Sequence, residues 1–250
     1  MFGRWRFSVG VGLMVVAISV LLAAKPDVQK VSLTSSGRER TYWLYVPEAK
    51  DAAPRPLLLL LHGSTRNGET LVRPWKDVAD REGIVLAGPD SLDSVHWRTP
   101  TDGPAFLRDV VDAVAARTPV DPRRVYLFGH SAGACMALEM GAFESNYFAA
   151  VAVHAGAIPT EDFGAFDWAT RKIPYAFWIG TRDRFFALDW VRANRDALKS
   201  RGFPVEFTEM AGHDHNYYSV AKDVNRQAWE FLKAQRLPSD PKYAAYGDAR

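Results

Sequence analysis

A serine stands between two glycines in Gly129-His130-Ser131-Ala132-Gly133, a pattern in which the serine hydroxyl can act as a nucleophile. The pattern Gly-x-Ser-x-Gly is short, and roughly 0.1 occurrences are expected by chance in a chain of this length. The neighbouring residues make the match more specific, because residues 124–128 predict a strand before the pattern and residues 132–143 predict a helix directly after Ser131. A sharp strand-to-helix turn exposes the serine hydroxyl, and the helix N-terminus favours developing negative charge. We therefore predict that Ser131 is a nucleophile.

A serine nucleophile requires a base, because its hydroxyl reacts poorly at neutral pH. After a nucleophile turn of this kind the acid and then the histidine follow along the chain. His154 lies inside an apolar strand-like run, too early in that order, so a structural role is expected for it. His213 and His215 come after the last predicted strand and before the last predicted helix, where the base should lie. A His-x-His metal site is disfavoured, because the sequence places no third ligand.

The acid is expected at the end of the strand before that histidine. Residues 175–179 are apolar and lead into a short polar turn that contains Asp183, while Asp189 is the reserve candidate. A carboxylate there would hold the tautomer of the histidine ring and stabilise its protonated form. Asp183 is therefore the predicted acid.

An oxyanion intermediate requires two backbone N–H donors. One is expected from Ala132, the residue after the nucleophile. The other is expected from the turn after the apolar run 56–61, where Ser64 is the first choice and Thr65 the alternative.

Strands alternate with helices along most of the chain, and this alternation predicts the frame that positions these residues. The predicted strands are residues 30–33, 40–46, 56–61, 84–87, 124–128, 148–153, 175–179 and 205–210, and the predicted helices are residues 68–82, 106–116, 132–143, 189–200 and 219–234. Such alternation is typical of an α/β protein with a mostly parallel sheet covered by helices on both faces. We expect one catalytic domain over residues 30–237 without a large lid, followed by a polar tail at residues 238–250.

The first 24 residues differ in kind from the rest. Arg4 and Arg6 precede an uncharged apolar run over residues 7–24, which predicts either a signal peptide or an N-terminal membrane anchor over residues 1–24. Both alternatives predict export, as a secreted or periplasmic protein, and the anchor would tether it to a membrane through residues 7–24. The formal net charge of +2 and the single cysteine, Cys135, favour neither a nucleic-acid partner nor a disulfide framework.

The residues around Ser131 resemble a known family. Residues 120–137 resemble the nucleophile turn of the polyhydroxybutyrate depolymerase and feruloyl esterase group, which typically reads Asp-Pro-x-Arg-Val-Tyr and then Gly-x-Ser-x-Gly-Gly-x-Met-Ala. Residues 40–47, Trp97 and residues 102–111 resemble the same group. The resemblance implies an α/β-hydrolase fold and a serine esterase that cleaves carboxylic esters through a Ser-Asp-His triad and an acyl-enzyme, with no cofactor and no metal.

The histidine segment resembles a different group of esterases. Residues 212–218 read Gly-His-Asp-His-Asn-Tyr-Tyr and are similar to the Gly-x-Asp-His-Ser-Tyr-Tyr segment of esterase D-type S-formylglutathione hydrolases. In that segment the catalytic histidine follows the aspartate, which favours His215. His213 directly follows glycine, as the base does in many esterases, and remains the alternate base.

The expected substrate is a small-molecule or oligomeric ester whose acyl and alcohol parts stay open. Trp97, Tyr217 and Tyr218 are candidates for the lining of an aromatic- or sugar-binding cleft. One alternative is a peptidase of the prolyl-oligopeptidase type, which shares this turn and chain order, although no propeller domain is present. The other is a non-catalytic binding protein of the α/β-hydrolase fold, although such proteins usually lack a member of the triad.

Overall fold

The computed structural model describes residues 26–48 and 51–244. Its strands are β1 Gln29–Ser35, β2 Arg38–Tyr45, β3 Arg55–Leu61, β4 Val85–Pro89, β5 Val120–His130, β6 Val151–His154, β7 Tyr175–Gly180 and β8 Val205–Met210. Its α-helices are α1 Gly68–Glu82, α2 Pro104–Ala115, α3 Ala132–Phe143, α4 Leu188–Ser200 and α5 Tyr217–Lys233, and a 3-10 helix spans Thr160–Trp168.

All the strands above belong to one sheet in the order β1-β2-β4-β3-β5-β6-β7-β8. The first two pairings, β1 with β2 and β2 with β4, are antiparallel, and every later pairing is parallel. The carboxyl ends of β3, β5, β6 and β7 therefore meet at one edge of the sheet, where ligands bind in open α/β folds. This strand order is that of the α/β-hydrolase fold, and it confirms the fold that the resemblance implied.

The leucine run of β3 shows why both faces of the sheet are covered. Successive side chains of a strand point to opposite faces. Leu57, Leu59 and Leu61 join the core beneath α2, α3 and α4, whereas Leu58 and Leu60 join the core beneath α1 and α5. All five are fully buried, so an unbroken apolar run is what this central strand requires.

Several element bounds differ by one or two residues from those expected from sequence, and three differences are larger. The strand β5 begins at Val120 instead of residue 124, because it pairs with β3 at Val120 and again from Val125, with an irregularity around Pro122. The strand β6 begins at Val151 instead of residue 148, since the chain is still turning out of α3 there and Phe148 N–H donates to Glu144 O. The 3-10 helix was not predicted, and it buries only Phe166, so it carries no apolar period.

The predicted signal peptide or anchor lies outside the described residues. Within residues 26–48 and 51–244, no helix is long and apolar enough to cross a membrane. The start of the predicted polar tail lies against the domain, where Lys242 N–H donates to Asn146 O and Ala244 N–H to the Glu144 carboxylate.

Candidate active site

The turn between β5 and α3 holds Ser131 in an unusual backbone conformation. Its φ is 57° and its ψ is −123°, a region that residues other than glycine rarely adopt. The flanking glycines allow the turn, because a Cβ on Gly129 would lie 2.3 Å from Gly133 O and a Cβ on Gly133 would lie 2.0 Å from Leu61 O. Side chains at these positions would collide with backbone atoms, so the glycines are required by the close approach of β3, β5 and α3.

Hydrogen bonds link Ser131, His215 and Asp183 in one line. The distance from Ser131 Oγ to His215 Nε2 is 2.9 Å, and the distance from His215 Nδ1 to Asp183 Oδ2 is 2.8 Å. With Nδ1 protonated, His215 donates to Asp183 and its Nε2 accepts from the serine hydroxyl. A general base placed in this way can remove the hydroxyl proton as the oxygen attacks.

The carboxylate of Asp183 is buried and surrounded by donors. Its side chain is 0% exposed, and its Oδ1 accepts from the backbone N–H groups of Phe185 and Phe186 at 2.8 and 2.9 Å. Burial alone would raise the pKa of Asp183, but the hydrogen bonds from His215 and the two amides outweigh it and lower the pKa below its ordinary value. The carboxylate is thus kept charged and fixed beside the imidazole.

The predicted acid and the predicted base lie on two loops in direct contact, the acid loop (residues 181–187) and the histidine loop (residues 211–216). Arg182 N–H donates to His213 O at 2.9 Å, and Thr181 N–H donates to Met210 O at 3.1 Å. A Cβ on Gly180 would lie 2.3 Å from His213 O, so the loops approach each other where β7 ends. This contact fixes the backbone around His213 and directs the next side chains of the histidine loop.

His213 contacts a different partner from His215. Its Nε2 lies 3.3 Å from His154 Nε2, and His154 Nδ1 lies 3.1 Å from His130 Nδ1. His130 in turn packs against the His215 ring, with centroids 5.0 Å apart, and stacks on Tyr217. The structure therefore brings His215 to Ser131 and Asp183, and it places His213 at the outer end of a row of imidazoles.

The inner imidazoles of this row are kept neutral by burial. Burial lowers the pKa of His130 to about 3, with the nearby charges of His215 and Arg66 acting in the same direction. Burial also lowers the pKa of His154, which is fully buried at the end of β6, well below its ordinary value. The sequence indicated a structural role for His154 but gave none to His130, whose position inside the nucleophile pattern was the available signal.

The residues predicted to supply the oxyanion donors, Ser64 and Ala132, lie in the wall of the cavity that holds Ser131 and directly after Ser131, respectively. Ala132 is the first residue of α3, and the first N–H groups of a helix have no acceptor inside it. Ser64 lines the same cavity as Ser131, and its hydroxyl donates to Val95 O at 2.6 Å. The backbone N–H of Thr65, the alternative oxyanion donor, already donates a hydrogen bond to Ser94 O at 2.8 Å.

Trp97 and His62 hold the turn that carries Ser64. Trp97 Nε1–H donates to His62 O at 2.9 Å, and the two rings lie 4.9 Å apart. The His62 ring is buried, which lowers its pKa, and its Nε2 accepts from Ser91 N–H. Trp97 therefore supports the turn from behind and is not among the residues that line the cavity.

A cavity of about 590 Å³ opens above Ser131. Its rim includes Phe185, which is 73% exposed and packs on the His215 ring, and Tyr218, which is 37% exposed. Tyr217 also borders the cavity, but its ring is fully buried and packs on the ring of His130. Of the three aromatic residues singled out from sequence, Tyr218 is the one whose ring is both exposed and at the cavity.

Two other residues singled out from sequence lie apart from this chemistry. The Asp189 side chain is 91% exposed and pairs with Arg192 on the surface. The Cys135 thiol donates to Ala157 O at 3.2 Å, and burial raises its pKa to about 11, so it behaves as a small packed side chain. Among the residues that the structure describes, no three His, Cys, Asp or Glu side chains are grouped to hold a metal ion.

Comparison with known proteins places the chain in a family. "Putative esterase NocK" of Nocardia uniformis subsp. tsuyamanensis is 35% identical over 139 residues, which cover 50% of this chain and 40% of that protein. A poly(3-hydroxybutyrate) depolymerase of Ralstonia pickettii is 28% identical over 148 residues, covering 50% of this chain and 30% of that protein. The chain thus matches less than half the length of each of these relatives.

The solved structure of a ferulic acid esterase has the same fold, with a TM-score of 0.68 at 20% identity over 84% of this chain and 98% of the other. The sequence model of the family described as Esterase PHB depolymerase matches residues 40–171, which is more than half of the chain and includes Ser64, Ser131 and Ala132. The chain therefore belongs to the Esterase PHB depolymerase family.

Proposed function

We propose that this protein hydrolyses carboxylic esters through an acyl-enzyme, with Ser131 as nucleophile, His215 as base and Asp183 as the acid that orients the base. The observation that carries the proposal is the hydrogen-bonded line from Ser131 Oγ through His215 to Asp183, with distances of 2.9 and 2.8 Å at the floor of an open cavity. Membership of an esterase family supports the choice of esters over other acyl compounds.

Acylation begins when Ser131 Oγ attacks the ester carbonyl carbon and its proton passes to His215 Nε2. The carbonyl oxygen becomes an oxyanion, which we assign to the backbone N–H groups of Ser64 and Ala132. The intermediate collapses by breaking the bond to the alcohol oxygen, which takes the proton from His215 as it leaves. Removing one such oxyanion donor typically costs about 100- to 1000-fold in rate.

Deacylation repeats these steps with water. His215 Nε2 removes a proton from a water molecule, whose oxygen attacks the acyl carbon. Collapse of the second intermediate breaks the bond to Ser131 Oγ, which regains a proton from His215, and the carboxylic acid leaves. Throughout the cycle the Asp183 carboxylate stabilises the protonated imidazole without accepting its proton.

Labelling with a fluorophosphonate probe tests the nucleophile. Wild type should label and Ser131→Ala should not, with circular dichroism spectra showing that both are folded. A folded wild type that does not label, or equal labelling of the variant, would leave a non-catalytic binding protein as the better explanation. Hydrolysis of acyl-peptide amides without hydrolysis of any ester would favour the peptidase alternative.

The two histidines of the histidine loop form a matched pair for testing the base. His215→Ala should lower kcat for p-nitrophenyl acetate by orders of magnitude, since it removes the proton acceptor. His213→Ala changes a ring that contacts His154 instead, so its loss should be far smaller. The assignment of the base is wrong if His213→Ala is the more damaging substitution.

The substrate is proposed to be a small-molecule or oligomeric ester, because the cavity is open and about 590 Å³ in volume. A panel of short-chain, feruloyl, acetyl-xylan and hydroxybutyrate esters would rank the acyl and alcohol groups. We also propose that the protein is exported. The N-terminal segment is then either removed as a signal peptide or kept as an anchor that holds the protein on a membrane through residues 7–24. Fractionation of cells and N-terminal sequencing of the mature chain separate these two outcomes.

A further inference from the structure

Arg66 lies in the wall of the cavity that holds Ser131, two residues after the proposed oxyanion donor Ser64. Its backbone is held on both sides. On one side Thr65 N–H donates to Ser94 O, and on the other the Asn67 side chain accepts from Thr70 N–H at the start of α1. Two residues of extended chain span at most about 7 Å, so Arg66 is anchored close to the position of the reacting carbonyl.

The guanidinium group of Arg66 stands beside the exposed ring of Tyr218, 5.4 Å from its centroid. It forms no ion pair with any residue that the structure describes. The cavity wall also contains one carboxylate, that of Asp214, which accepts from Asn216 N–H within the histidine loop. The aromatic contact therefore positions the Arg66 group while its N–H donors stay available.

The charge of Arg66 is close enough to the nucleophile turn to act electrostatically on His130. It is one of the charges that lower the pKa of His130, the residue directly before the nucleophile. A positive charge near the reaction centre, with N–H donors that none of the described carboxylates uses, is the arrangement that attracts an anionic group of a substrate. Arginine suits a carboxylate in particular, because its planar fork can donate two parallel hydrogen bonds.

We propose, building on the proposed ester hydrolysis, that Arg66 binds a carboxylate of the substrate, so that the site prefers esters carrying a carboxylate a few bonds from the scissile carbonyl over their neutral analogues. That carboxylate can belong to the acyl part, as in a half-ester of a dicarboxylic acid, or to the alcohol part, as in an acylated hydroxy acid. The recognition is the same in both cases, and the two differ in which end of the ester faces Arg66.

A purely structural role for Arg66 makes a different prediction. If the side chain only covers the Tyr218 ring, the protein should treat charged and neutral esters of one shape alike. Because Arg66 is exposed, solvent and salt weaken its attraction to an anion. We therefore expect a preference of about five- to tenfold at low ionic strength that shrinks with added sodium chloride.

Two substrate pairs separate the sources of the carboxylate. Monoethyl succinate against diethyl succinate, with ethanol release, places the charge on the acyl side. A 3-acetoxypropanoate salt against its methyl ester, with acetate release, places it on the alcohol side. The readout is the ratio of kcat/KM within a pair, so a general loss of activity in a variant cancels. Arg66→Gln is compared with Arg73→Gln, which removes the same charge from an α1 residue paired with Glu69 outside the cavity.

The proposal is supported if wild type prefers the charged member of at least one pair about five- to tenfold, Arg66→Gln brings that ratio to about one, and Arg73→Gln keeps it. Ratios near one in wild type, or an equal loss in both variants, overturn it while ester hydrolysis itself stands. Failure of wild type to hydrolyse any of the four esters or p-nitrophenyl acetate overturns the proposed function, and this inference falls with it.

Discussion

Acidification should destabilise this protein because several histidines are buried as neutral imidazoles. His62, His130 and His154 are 1%, 6% and 0% exposed, and burial lowers the pKa of each. In the unfolded chain these rings take up a proton near pH 6.5. A lowered folded-state pKa gives a stabilisation that is fully present above the unfolded pKa and is lost as the pH falls towards the folded pKa.

His130 gives the size of the effect. Its pKa is about 3 in the folded protein and about 6.5 when unfolded. Between about pH 7.5 and about pH 4.5 the free energy of unfolding should fall by about 2.5 kcal/mol from this residue alone. The charged and titratable groups that act on it are His154 from β6, His215 from the histidine loop, Arg66 from the turn after β3 and Asp183 from the acid loop. The Asp183 carboxylate favours protonation of His130, but burial outweighs it, so the pKa of His130 stays lowered.

Urea unfolding at a series of pH values measures this loss. His130→Gln, which keeps a polar side chain beside His154, should reduce the decline between about pH 7.5 and about pH 4.5 by about 2.5 kcal/mol. His96→Gln is the matched control, because His96 is 58% exposed and its substitution should leave the decline as in wild type. The lowered pKa of Asp183 acts only below its ordinary value of 3.8 and so outside this range. The reasoning is refuted if His130→Gln declines as steeply as wild type.

Three further predictions concern single side chains. Asp183→Asn should lower kcat about 1000- to 10,000-fold with little change in fold, because the amide favours the wrong tautomer of His215, and steady-state kinetics measures it. Asp102→Ala should destabilise the protein by about 3–5 kcal/mol in urea unfolding, since it leaves the buried Arg40 guanidinium, 2.6 Å away, without its carboxylate; a loss below about 1 kcal/mol would contradict this. Cys135 should resist iodoacetamide at about pH 8 until the protein unfolds, because its raised pKa of about 11 leaves little thiolate.

The elements with strong local signals were predictable to the residue. The helix α1 begins after Asn67, whose side chain caps it, and ends at Gly83, whose φ of 72° is the left-handed conformation that glycine favours. Both signals are read from neighbouring residues, so the predicted bounds 68–82 match the observed helix. The start of β6 was wrong by three residues, because only the tertiary path out of α3 decides where pairing with β5 begins.

The sequence did not decide which of the two histidines of the histidine loop is the base, and the reason is geometric. They are two residues apart in a loop, where no helical or strand period fixes the direction of a side chain. Their directions depend on contacts with the acid loop, including Arg182 N–H to His213 O. The resemblance of residues 212–218 to the esterase D-type segment favoured His215. The hydrogen bonds that distinguish the two histidines join His215 to Ser131 and Asp183, 84 and 32 positions away, and such distant contacts are not visible in the local sequence.

Arg66 marks a limit of sequence interpretation for the same physical reason. In the sequence it is one of many polar residues in a turn, and nothing beside it indicates an anion site. The role proposed for Arg66 depends on Tyr218, about 150 positions later, and on the lack of a carboxylate partner within residues 26–48 and 51–244, both of which are properties of the folded surface. The nucleophile turn is encoded locally because close backbone packing demands glycine there, whereas specificity is assembled from side chains that meet only after folding. The chemistry of such a site is therefore easier to predict from sequence than its substrate.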